Sequence, residues 1–220
     1  MFKRLASEAL GLSDIGVIVP ASDYDKVDAD DYLFHEDGEK IFFLIKSKKD
    51  EYCFTNLALI HVDGDSAVSS KRSIKRYDYA TNEFSQVTIE TAGTIDMDVE
   101  LKFQVGGEVF SIDVRKNFIE SLKDIYKALV TIGRMQRRDE MARENSLRCL
   151  EAFGSMYKVG NVASDEQIVQ HFNALVGVVN STLLDRFARR DYSPVFDRYI
   201  HKQPACRCRA ARTPPFAAHP

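Results

Sequence analysis

No stretch of this sequence holds about 18 or more uninterrupted apolar residues, so no transmembrane helix is expected. The N-terminus, MFKRLASEALGLSDIGVIV, places Glu8 and Asp14 among its apolar residues and lacks the continuous apolar core of a secretion signal. Cysteine is scarce. Cys53, Cys149, Cys206 and Cys208 are scattered and form no disulfide framework, which points to a reducing cytoplasm. Neither G-x-x-x-x-G-K-[ST] nor G-x-G-x-x-G occurs, so no nucleotide cradle is expected. No serine or cysteine carries the flanking motif of a nucleophilic triad. No enzymatic activity and no cofactor are therefore expected.

What remains is the composition of a folded protein, 45% hydrophobic and 29% charged over 220 residues, enough for one sizeable domain or two small ones. The net charge of −3 is unevenly spread: residues 1–140 carry −7 and residues 141–220 carry +4. An acidic first part argues against nucleic acid, whose phosphates reward basic surfaces. Opposite signs in the two parts favour association between copies of the chain.

Phe2, Leu5, Ala6, Ala9 and Leu10 recur at helical spacing, a short amphipathic helix expected to dock on the protein's own core rather than on a membrane. ASDYDKVDADDY follows. Its aspartates look like a calcium loop, but an EF-hand needs Asp or Asn at position five, Gly at six and Glu at twelve. Val27, Asp28 and Phe34 stand there, so the segment is expected to be a solvated acidic connector.

From residue 40 the pattern is that of strands: 40–47, 51–55, 57–63, 68–79, 84–91, 97–105 and 108–113. Asp63-Gly64 and Gly106-Gly107 are expected to supply the positive φ of tight hairpins. Met97, Val99, Leu101, Phe103 and Val105 alternate with Asp98, Glu100, Lys102 and Gln104, so one face is buried and the other wet, as in an antiparallel sheet. The seven strands are expected to make a sandwich or a partly open barrel. The period then shifts to 3.6. Phe118, Leu122, Ile125, Leu129 and Ile132 form one stripe, a helix expected to cover the open end of that barrel.

Residues 141–200 are expected to be helical. Leu147, Leu150, Phe153 and Tyr157 make one stripe ending near Gly160. Ser164 and Gln167 form a capping box for a second helix bearing Ile168, Phe172, Leu175, Val179 and Leu183 on one face. Ser193-Pro194 fits N-cap and N1 of a short third helix. A two-helix hairpin buries too little on its own, so it must pack on the barrel or on another subunit. The last twenty residues, HKQPACRCRAARTPPFAAHP, show no period and are expected to be disordered or foreign to the fold.

Three stretches, DEYCFTNLALIHVDGDS, SKRSIKRYDYATNEFSQVTIETAGTIDMDVELKFQV and NFIESLKDIYKALV, resemble the bacterial pleckstrin-homology family, specifically its YvbH-like branch. The resemblance covers roughly residues 40–130, and the hairpin after it is similar to that branch's helical oligomerisation extension. It implies a mostly β, partly α chain. Residues 1–39 would be the N-terminal helix and connector, 40–140 a pleckstrin-homology-like barrel with its capping helix, 141–200 the extension and 201–220 a tail. It further implies ring-like homo-oligomers and no enzyme activity. Leu147, Leu150, Phe153, Phe172, Leu175 and Val179 are then the candidate oligomer contacts.

Lipid-binding pleckstrin-homology domains hold inositol phosphates with basic residues at the first hairpin. Lys46, Lys48 and Lys49 occupy that turn here, the candidate anion or lipid contacts of a peripheral membrane module. Asp50 and Glu51 follow at once, and EYCFT has no arginine to complete a bidentate clamp. Each basic residue near an anionic membrane contributes about 1 kcal/mol, and two adjacent acids offset most of that. The turn is therefore expected to be the exposed end of a scaffold hairpin. His61 lies in an apolar strand without a base's partners. His201, Cys206, Cys208 and His219 fit no zinc spacing. Asp96, Asp98 and Glu100 suit a solvated face or an oligomer contact. The leading expectation is an oligomeric, non-enzymatic protein-interaction or scaffold module.

Overall fold

The computed structural model describes residues 13–64, 72–91, 98–159, 165–187 and 190–200. Among the described residues, eight strands form two antiparallel sheets. Strands β1 (Val17–Ile18), β2 (Ile41–Lys46), β3 (Glu51–Thr55), β4 (Ala58–Gly64) and β5 (Arg72–Asp78) pair in chain order in one. The other contains β6 (Phe84–Thr91), β7 (Asp98–Val105) and β8 (Glu108–Arg115). Helices α1 (Ile119–Val159), α2 (Asp165–Phe187) and α3 (Ser193–Tyr199) follow.

The expected seven-stranded barrel closed by a C-terminal helix is not what forms: the described strands number eight, in two sheets, and neither sheet closes on itself. The sheets are stitched at one corner. Gly16 donates to the Asp113 carbonyl at 2.7 Å and accepts from the Arg115 N–H at 3.0 Å, making a single parallel bridge to β8. A Cβ at Gly16 would crowd the Ile45 side chain, which explains glycine at the crossing. The two residues of β1 supply the eighth strand. They are too short to show a period in the sequence.

The main core lies between the sheets under the first half of α1. Phe43, Phe54, Leu59, Val99, Leu101, Phe103 and Ile112 meet Leu122, Ile125, Ala128, Leu129 and Ile132 there. The expected stripe on α1 and alternation on β7 both hold: β7 alternates half-buried and buried residues along its whole length. Gln136 fixes α1 to the start of β6. Its side chain donates to the Tyr79 and Asn82 carbonyls and accepts from the Phe84 N–H at 3.0 Å.

Within the five-stranded sheet, β2, β3 and β4 are largely buried on both faces, whereas β5 is mostly exposed. Short 3-10 helices at Ala21–Lys26 and Asp28–Tyr32 lie across the sheet's outer face. There Val27, Ala29 and Leu33 pack on Leu44, Cys53, Ile60 and Val62 as a second core. The acidic connector is thus a packed layer whose few apolar residues face in, while Asp25 and Asp31 are exposed and Asp23, Asp28 and Asp30 are half-buried.

Three local expectations change. Gly106 and Gly107 do take φ of +59° and +82°, but Gly64 has no positive φ and pairs with Arg72 at the end of β4. Ser193 is the first residue of α3, and Tyr192 stands at the N-cap. The covering helix and the first arm of the hairpin are one continuous 41-residue helix, about 60 Å at 1.5 Å per residue. The N-terminal helix at 2–10, the Ser164 cap, the aspartate Asp96 and the tail with its histidines and cysteines lie outside the described residues.

Candidate interaction surfaces

Lys46, at the end of β2, points toward the connector. Its Nζ pairs with Glu51 at the start of β3, and the two side chains are 12% and 3% exposed. Glu51 also accepts from the backbone N–H of Asp28 at 3.2 Å and of Ala29 at 2.8 Å. One carboxylate thus ties the first hairpin to the 3-10 layer, and Lys46 is committed to it. The turn is fixed by Ser47, whose hydroxyl accepts from the N–H groups of Lys49 and Asp50. Lys48 and Lys49 are exposed, and the Lys48 N–H donates to the Ser13 carbonyl at 2.9 Å. The structure therefore keeps two of the three lysines at the surface and turns the third inward.

His61 on β4 lies flat against Tyr52 with ring centroids 4.5 Å apart, and edge-on to Phe110. Its Nε2 is 3.5 Å from an Asp50 oxygen. Burial first, then the charges of Asp50, Asp63 and Asp113, push the Tyr52 hydroxyl far above its usual range. Tyr52, His61 and Phe110 form an aromatic ledge beside Asp50, and no nucleophile stands next to a base among these residues. On the outer face of β7, Glu100 accepts from the Ser111 hydroxyl and lies 2.9 Å from Lys102. Those bonds, Ser111 first, hold its carboxyl below the usual range. Asp98 pairs in register with Arg115. This is a solvated, charge-paired face. Among the described residues no group of three or more histidines, cysteines or carboxylates is placed to hold a metal.

The third surface is the helical arm. Beyond Asp139, α1 leaves the sheets, α2 returns alongside it, and the chain re-enters the body at Arg190. Arg190 pairs with Asp139, so the two ends of the arm adjoin. Asp191 accepts from Asn56 at 3.1 Å, and the Tyr192 N–H donates to the Asn56 carbonyl at 3.0 Å. Tyr192, Val195 and Phe196 then complete the main core, Phe196 stacking on Phe42 at 5.1 Å. A cleft of about 340 Å³ opens at this root, walled by Tyr79, Asn82, Gln136, Asp139, Arg190 and Tyr192.

On the arm itself Leu150, Leu175 and Val179 are half-buried between the helices, while Leu147 and Phe172 face outward, 42% and 60% exposed. The Phe153 side chain is outside the described residues. Met141, Val169 and Val178 are exposed as well, Val178 at 66%, and a single-stripe reading of the sequence misses them. The signal was the apolar run ALVGVV at 174–179, which surrounds α2 rather than striping it. One neighbouring helix cannot cover all of that.

The described residues thus form a two-sheet fold with α1 across its core, extended by a helical arm. Residues 9–133 match the family model described as bacterial PH domain. The chain belongs to the bacterial PH domain family. It is 48% identical over 210 residues to uncharacterized protein YvbH of Bacillus subtilis (strain 168), covering 91% of this chain and all of that protein. The alignment is longer than the family match, so similarity runs into the helical part. Uncharacterized protein YjqA of the same organism is 32% identical over 97 residues, 44% of this chain and 76% of that one. Among solved structures, a PH-domain-containing bacterial protein from Exiguobacterium sibiricum 255-15 superposes with a TM-score of 0.73 at 43% identity. It covers 84% of this chain and 99% of its own. PH domains are non-catalytic, and this chain is a PH-domain-like interaction module rather than an enzyme.

Proposed function

We propose that the chain works as a self-associating interaction module in which the PH body holds the helical arm in place and the arm supplies the contact between copies. The observation that carries this reading is the exposed apolar set Met141, Leu147, Val169, Phe172 and Val178 on an arm only two helices thick. Layers of packed elements bury their apolar faces against another layer, and a hairpin from a second copy provides one with the same chemistry. The anchoring at both ends supports it further, because a held surface loses less entropy on association. Light scattering on the full chain, and on the chain ending at Gln203, tests the proposal. A particle larger than one chain at micromolar concentration is expected, and a monomer in both cases would overturn it.

A further inference from the structure

We draw no further inference here: the strongest candidate, the ledge of Tyr52 and His61 near Asp50, Asp63 and Asp113, is a cluster of carboxylates for which nothing in the structure shows what covers or fills it.

Discussion

Glu51 and Lys46 illustrate how a charge can be counted correctly in a sequence and still be placed on the wrong side of a strand. Counted along the chain, Glu51 is a surface acid that dilutes a basic turn. In the fold it is 2% exposed and serves three donors. The signal was the strand period: Glu51 shares a face with Cys53, and Cys53 is buried under the connector. Removing one partner of a buried pair strands the other, which costs about 3–5 kcal/mol, whereas replacing both with apolar groups is close to neutral. Glu51→Ala or Lys46→Ala should therefore lower stability by about 3 kcal/mol, the low end of that range because Lys46 keeps some exposure. The double change Lys46→Met, Glu51→Leu removes the stranded charge but still leaves the Asp28 and Ala29 N–H groups without their acceptor. It should therefore cost less than the two single losses added together while remaining destabilising. Urea melts of the three variants read this directly, and a double-variant loss equal to the sum of the single losses would refute the coupling of Lys46 to Glu51.

Asp191 gives the same scale a pH dependence. Burial pushes its carboxyl up, but hydrogen bonds from the Ser193 hydroxyl and N–H, with Asn56, outweigh that and leave it below the usual 3.8. A carboxyl lowered in the folded state adds stability that is complete above the unfolded value and is lost as pH falls through the folded one. Melting temperature should thus drop below about pH 4, and Asp191→Asn should flatten part of that drop. Parallel acid slopes in the two proteins would show that Asp191 contributes none of it.

At the scale of elements, what could be read from the sequence depended on whether burial was one-sided. The alternation of β7 and the stripe at 118–132 each record one buried face, and both were legible. IFFLI at 41–45 is apolar throughout because β2 is covered on both faces, which a continuous run signals without saying what covers it. The stretch RMQRRDEMAREN at 134–145 hides the continuity of α1, since a helix leaving the body has no stripe to show. It contains no proline to end the helix either. The return of α3 to the core joins residues 135 positions apart, Asn56 and Asp191, and no local pattern encodes that. Two consequences can be measured. A chain cut after residue 133, where the family match ends, should lose cooperative unfolding because Gln136, Tyr192 and Phe196 are missing. A chain in which a short Gly-Ser linker replaces residues 140–189 should keep it, since Asp139 and Arg190 already adjoin. Phe196→Ala, which empties the stack on Phe42, should cost about 3–5 kcal/mol. A cut chain that melts like the full one would remove α3 from the account of the core.

For the whole molecule, the sheets, α1 and α3 form one body, and the arm is an excursion from it. All of the +4 carried by residues 141–220 lies in 201–220, since residues 141–200 sum to zero. A charge-driven contact would therefore run from the acidic body of one copy to that segment of another and would weaken with salt. An apolar arm contact, by contrast, is only weakly sensitive to salt. These two modes separate in a salt series, and the exposed Phe172 and Val178 point to the second. The most direct measurement is sedimentation velocity on three proteins at micromolar concentration: the full chain, the arm-excised chain and Phe172→Glu, Val178→Glu. The full chain should sediment as an oligomer in both low and high salt, and the other two as folded monomers. An oligomer that persists without the arm, or a full chain that is monomeric, would contradict the assignment of the arm as the contact surface.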